Sequence, residues 1–244
     1  MLRTTFIAVI AVCVLVHAQG SDALIDSAVT LYETRHFNSE NLLQSYDILF
    51  DIVEGEPQNQ RAHYELSKVC FLLGDVAAEK KAKLKLFEEG RDYGKKAMKL
   101  DDTSAWAHFW YMVNVGRIGQ TKGVLNSLIL VPEVEKEINK TLALDPEHTG
   151  ALDAKAMLFY ELPGLLGGNL NKSIEALNEG IALDSNYTLL YVDMGKVYMK
   201  KKDYEKARWF LKKAVDIQTP TYEADHVLDD KPEALELLEE IKDK

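Results

Sequence analysis

Three cations and a set of aromatic rings recur at helical spacing through the chain, and they are the side chains best suited to hold a ligand. Arg61, Tyr64, Lys68 and Phe71 fall at positions 2, 5, 9 and 12 of one helical segment. Trp106, Phe109, Val113 and Gly116 take the matching places in the next, with Arg117 beside them. Asp153, Met157 and Tyr160 repeat the pattern, and Leu189, Val192, Lys196 and Met199 close it. Residues three or four apart share one face of a helix, so each set defines a stripe. Rings offer large contact area at low entropic cost. Arg61, Lys68 and Arg117 are placed to meet a carboxylate, an arginine in bidentate fashion. The chemistry indicated is capture of a protein segment, or of a small apolar or carboxylate ligand, in a groove. The competing reading makes Trp106, Phe109 and Tyr160 filling for an inner core.

Bond-making chemistry has much less to work with. The sequence holds no serine elbow, no phosphate-binding loop and no paired carboxylates on converging elements. His36, His63, His108, His148 and His226 lie in different segments, and no two share an i, i+4 face that would hold a metal. The reading is therefore a non-enzymatic protein with no metal and no cofactor. An enzymatic alternative would draw on Glu161, His108 and Tyr160 and would require a strongly perturbed pKa in the groove. A formal net charge of −10 argues against nucleic acid and anionic membrane surfaces as main partners. With 47% hydrophobic and 28% charged residues the composition is that of a folded globular chain.

An internal repeat positions these stripes. Ser173, Leu177, Gly180 and Leu183 return 34 positions later as Ala207, Leu211, Ala214 and Ile217, each small or apolar residue meeting one of like character. That period marks tetratricopeptide helix-turn-helix units. The expected fold class is all-α, a right-handed tetratricopeptide-repeat superhelix of about five units with a C-terminal capping helix. The units fall at about 22–57, 58–102, 103–146, 147–186 and 187–220, with the cap at 230–244, within one domain over 19–244. Three departures from the period stand out. The second unit has a long second helix, Ala78 to Leu100. The third has a Gly-punctuated loop, Gly116 to Val131, with its partner helix starting at Pro132. The fourth has a loop whose three glycines and one proline forbid helix, Leu162 to Gly168. That loop is expected to fold back on a helix end. Leu162, Pro163, Gly164, Leu165 and Leu166 then form an interface for a partner or for a second copy in a homo-oligomer.

Residues 1–18 read as a secretory signal peptide, with Arg3 as the positive region, Phe6 to Val16 as the apolar run and Val16-His17-Ala18 as the cleavage site. The expected location is accordingly exported and periplasmic, with membrane association if the leader is kept as an anchor. Cys13 is not read as a lipidation site, since Val12 stands where a lipoprotein signal wants a small residue. Once the leader is removed Cys70 stands alone, so no internal disulfide forms and Cys70 reads as a core thiol.

Leu100-Asp101, Leu144-Asp145-Pro146, Leu183-Asp184 and Tyr204-Glu205-Lys206-Ala207 match the generic repeat endings and second-helix openings, and the chain resembles a bacterial tetratricopeptide-repeat protein. The long second helix, the segment Gly119-Gln120-Thr121-Lys122-Gly123 and Leu162-Pro163-Gly164-Leu165-Leu166-Gly167-Gly168 together resemble the TatT family, periplasmic T components of TRAP-type transporters. That resemblance implies docking of a TRAP substrate-binding protein and a cavity for a small, partly apolar ligand. Regulators of microtubule dynamics in animals share a similar repeat core. The alternative they imply is a general protein–protein interaction scaffold with no small-molecule ligand.

Overall fold

Side-chain caps and aspartate turns set where the helices start and stop. Asn59, Ser104, Asn169 and Asp203 each accept a hydrogen bond from a backbone N–H of the turn they open, at 3.1, 3.3, 3.1 and 3.3 Å. The repeated Leu-Asp endings have the same physical cause. Asp101, Asp145 and Asp184 each accept from the N–H two residues on, at 2.9, 3.1 and 2.9 Å, which folds the chain back toward the next helix.

The computed structural model describes residues 20–244; the expected leader at 1–18, with Cys13, lies outside the described residues. The described chain runs α1 (20–33), α2 (Glu40–Gly55), α3 (Gln60–Val76), α4 (Lys80–Leu100), α5 (Ala105–Lys122) and α6 (Val124–Leu144). It continues with α7 (Thr149–Glu161), α8 (Leu170–Leu183), α9 (Thr188–Lys200) and α10 (Tyr204–Asp216). A helical turn, Glu223–Asp225, and a π turn, His226–Asp230, lead into the cap α11 (Lys231–Glu240). Successive helices pair as five helix-turn-helix units, in the expected all-α tetratricopeptide architecture.

Small residues let the helices close on one another. A Cβ at Gly94 of α4 would stand 2.8 Å from the Cα of Tyr111 on α5, and one at Gly195 of α9 would stand 2.6 Å from Leu211 on α10. Ala207, Leu211 and Ala214 are fully buried and are sealed from solvent by Ala234 of α11 and by Ile241. The N-terminal core gathers Ile25, Leu49, Leu66 and Cys70. Burial pushes the Cys70 thiol far above its ordinary range, as expected of an inert core cysteine.

Three local expectations are corrected. The long helix is present but begins at Lys80. Gly116 to Val131 is not a loop: α5 and α6 run through it and turn only at Gly123, whose φ of 107° suits a residue without a Cβ. Gly119 has a packing role there, since a Cβ on it would come within 3.0 Å of the Ser127 Cα. Close helix packing has overridden the weak helix propensity of glycine. Pro132 sits inside α6 rather than at its start. Lastly, the Leu162 to Gly168 loop does not fold back. It is closed by its own backbone bonds, Leu166 N–H and Gly168 N–H both to the Pro163 carbonyl (2.8 and 3.1 Å) and Asn169 N–H to Phe159 (2.9 Å). Leu165 and Leu166 are thereby turned outward, Leu165 being 100% exposed, while Leu162 stays half-buried.

Pro132 is exposed and forfeits a backbone hydrogen bond in mid-helix. Proline costs about 3 kcal/mol against alanine there, offset by roughly 0.4–1 kcal/mol from the stiffer unfolded chain. Pro132→Ala is therefore expected to raise the unfolding free energy by roughly 2 kcal/mol. Urea titration followed by circular dichroism checks this, and an unchanged midpoint would mean that α6 has already relaxed around the proline.

Candidate functional site

The first helices of the pairs, α3, α5, α7 and α9, carry the predicted residues, and two charged groups form among them. In the first group Lys68 is caged by rings. Its Nζ lies 4.2 Å from the centroid of Tyr32, 5.3 Å from Trp110 and 5.9 Å from Tyr222. Phe71 lies 5.8 Å from Trp110, and the Arg117 guanidinium lies 5.3 Å from Phe71 while bonding Asp75. Of the predicted residues, then, Lys68, Phe71 and Arg117 come together. Burial lowers the pKa of Lys68, partly opposed by Glu65 and Asp225. Burial likewise raises that of Glu65, which accepts from the Tyr32 hydroxyl at 3.0 Å.

The second group is carboxylate-rich. Lys196 of α9 sits 2.9 Å from Asp193 and 2.7 Å from Glu233 of α11. Asp193 faces Asp153 of α7, and Thr188 donates to Asp230. Burial holds Asp153 well above the carboxylate range, with Asp193 adding to the rise. Asp193 is also raised by burial, opposed by Lys196. Burial pushes Asp230 up to about 7 despite its bond from Thr188. The ammonium of Lys196 is pushed down by burial, but Asp193 and Glu233 outweigh this and hold it above its usual value.

The remaining predicted residues are spread more widely. Arg61 reaches out to Asp26 at 2.6 Å, and Tyr64, Val113 and Met157 are half-buried. Phe109 is buried among Trp110, Met112, Ile138 and Ala151, so it fills core, whereas Trp106 is 41% exposed. Both rings stack on His148, at 4.5 and 4.4 Å. Tyr160, with the Lys200 ammonium 4.1 Å from its ring centroid, lines a separate pocket of 390 Å³ together with Leu162, Pro163 and Gly164.

The perturbed carboxylates meet one requirement of the enzymatic alternative, but the residues that alternative named are otherwise engaged. His108 has both ring nitrogens held, 2.6 Å from Glu137 and 3.1 Å from the Asp102 carbonyl, and Glu161 is exposed. Among the described residues no group of three or more His, Cys, Asp and Glu is placed to hold a metal ion.

Sequence reasoning missed what fills the groove. The segment Tyr222–Asp230, between the fifth unit and the cap, folds back to the turn after α1. Arg35 pairs with Asp225 and lies 3.8 Å from Asp229, while His36 lies 4.0 Å from Glu223. Tyr222 packs edge-on against Tyr187 at 4.9 Å. The signal available in the sequence was the acidic run Glu223, Asp225, Asp229 and Asp230 after Pro220, with Arg35 and Lys68 as its counter-charges.

With the groove described, comparison with known proteins settles the family. The family model described as Regulator of microtubule dynamics protein 1-3 matches residues 24–166, more than half of the chain. The chain belongs to that family. A tetratricopeptide-repeat model matches 189–220. Regulator of microtubule dynamics protein 1 of Bos taurus is 25% identical, with 97% of this chain and 78% of the relative covered. The Pongo abelii protein of that name is 23% identical, with 84% and 73% covered. Similar solved structures include TTC0263, a tetratricopeptide-repeat protein from Thermus thermophilus (TM-score 0.66, 13% identity, 88% of this chain and 98% of that one). The pilus biogenesis factor PilW is a second (TM-score 0.58, 15% identity, 92% and 93%). At such identities they speak for the fold alone. The family corrects the expected location. Its members found here are animal proteins matched over most of this chain, and a periplasm is a bacterial compartment, so the periplasmic reading is withdrawn. The apolar run at 6–16 that prompted it is a composition signal, which several kinds of N-terminal segment share.

The raised pKa of Asp230 gives a pH dependence. A carboxyl whose pKa is higher in the folded than in the unfolded chain leaves stability intact below the ordinary carboxylate range and erodes it as pH rises through about 7. Asp230 is therefore expected to favour the fold on acidification from about pH 8 to pH 5, as read by urea titration, against His63, His148 and His226, whose burial lowers their pKa values and acts in the opposite sense. Asp230→Asn should remove that contribution, so that the variant gains less stability or loses more than wild type over this range, while keeping an acceptor for Thr188. An equal slope in the variant would assign the effect to other groups.

Proposed function

We propose that the chain is a non-catalytic interaction scaffold that acts on microtubule dynamics, as the names of its relatives state, by holding a segment of a protein partner against its inner face. One observation carries this reading. The groove already holds a peptide segment, Tyr222–Asp230, through ion pairs and ring contacts from three repeat units. Side chains that grip a segment of the chain itself offer the same chemistry to another: Lys68 in its ring cage and Arg35 beside carboxylates, with the charge of Arg117, held over Phe71, acting on Asp229. Family membership supports the assignment, and the relatives named for microtubule regulation match over most of the chain. A transporter-docking role of the TRAP type has no such support. The reading takes Arg61, Tyr64, Val113, Asp153, Met157 and Tyr160 as further contacts for a partner that extends beyond this grip, with Trp106 and the Leu165–Leu166 tip outermost.

Turbidity of polymerising tubulin, with and without the purified chain, tests the reading. The chain is expected to change the rate or extent of assembly, and Lys68→Glu with Arg117→Glu to remove most of that effect while helicity is retained. Assembly curves that are identical with and without the wild-type chain would overturn the microtubule assignment.

A further inference from the structure

We propose that Tyr222–Asp230 is an internal ligand of the groove, and that the partner it stands in for is an acidic helical peptide bearing an aromatic residue. This rests on the scaffold reading above and names the chemistry of its partner. The segment reads aromatic, acid, two residues on acid, then a closing pair of acids: Tyr222, Glu223, Asp225, Asp229 and Asp230. Each end meets its complement. Tyr222 approaches the Lys68 ammonium and packs edge-on against Tyr187, while Glu223, Asp225 and Asp229 face His36 and Arg35 in the turn after α1. Arg35 and Asp225 are 190 positions apart, so this contact joins the first unit to the C-terminal end of the array.

What holds the segment is charge more than apolar burial. Ala224 and His226 are buried, but Val227 and Leu228 point to solvent at 45% and 44% exposure. Ion pairs near a surface are individually weak and are screened by salt. The segment is also bracketed by two attachments that do not depend on it. On one side the Thr221 N–H donates to the Asn186 carbonyl (3.1 Å) and its hydroxyl to Asp184 (2.8 Å). On the other, α11 is held by buried Ala234 and Ile241, with Arg208 donating to the Ile241 carbonyl at 3.0 Å. The intervening turn lifts away from α1 while the cap stays closed. An external acidic peptide then takes over Arg35, His36 and the Lys68 cage. In this way the chain inhibits its own groove.

The test uses the whole chain and synthetic 11-residue peptides. One is fluorescein-labelled Thr221–Lys231, and the others form a panel of neutral and basic sequences of equal length. Anisotropy is read against wild type and against Asp225→Asn/Asp229→Asn, which removes the charges facing Arg35, with hydrogen exchange over 222–230 reporting opening. Tyr222→Ala opens the segment independently should the double variant fail to fold. Freeing the groove from a segment that closes it nine-tenths of the time tightens apparent binding by about tenfold. The acidic peptide is therefore expected to bind an opened variant about tenfold more tightly than wild type, to weaken with salt, and to be lost on adding Arg35→Ala and Lys68→Ala. Equal binding to wild type and opened variants would overturn self-inhibition. Capture of neutral or basic peptides in place of the acidic one would overturn the partner chemistry and leave the scaffold reading standing. No peptide bound by any opened variant would overturn both.

Discussion

Close helix crossing at residues without bulk is the constraint on which the rest of this structure depends. A Cβ on Gly94 would come within 2.8 Å of the Tyr111 backbone, where the second pair meets the third, and one on Gly195 would come within 2.6 Å of the Leu211 side chain, where the fifth pair closes on itself. Stacked in this way, the five pairs bring Arg35, just after α1, to the C-terminal segment, where it pairs with Asp225.

The electrostatics of the groove follow from the same geometry. Drawing α7, α9 and the turn before α11 together puts Asp153, Asp193 and Asp230 in one small volume with Lys196, and burial raises all three carboxyls. Such an arrangement costs stability when every group is ionised. A scaffold tolerates it because the groove is the part of a repeat array that does not need to be optimally packed. Its stability comes from the interfaces between successive units.

Much of this architecture was legible beforehand. The return of Ser173, Leu177 and Gly180 as Ala207, Leu211 and Ala214 identifies the unit, and the Leu-Asp endings mark the turns, because both reflect contacts within a unit or between neighbours. Lys68 and Phe71 were found for the same reason, since helical spacing puts them on one face of α3, whereas their meeting with Arg117 of α5 is a matter of packing. Phe109 could not be told apart from them by spacing. Whether a ring on the inner stripe fills core or faces the groove depends on its neighbours in space, here Ile138 and Ala151. The α5–α6 turn was misplaced because glycine lowers local helix propensity, and only the tight fit of Gly119 against Ser127 shows why helix persists there.

The sequence by itself determined the repeat period, the Leu-Asp turns and the buried role of Cys70. Each of these is a local property, written in residues close to one another in the chain or one repeat apart. Only the tertiary structure decided that the groove is occupied by residues 222–230, that Arg35 and Tyr32 belong to it, and that Leu165 and Leu166 face outward. The first two depend on superhelical curvature summed over the whole array. A pairing between positions 190 apart leaves no periodic trace in the chain that forms it.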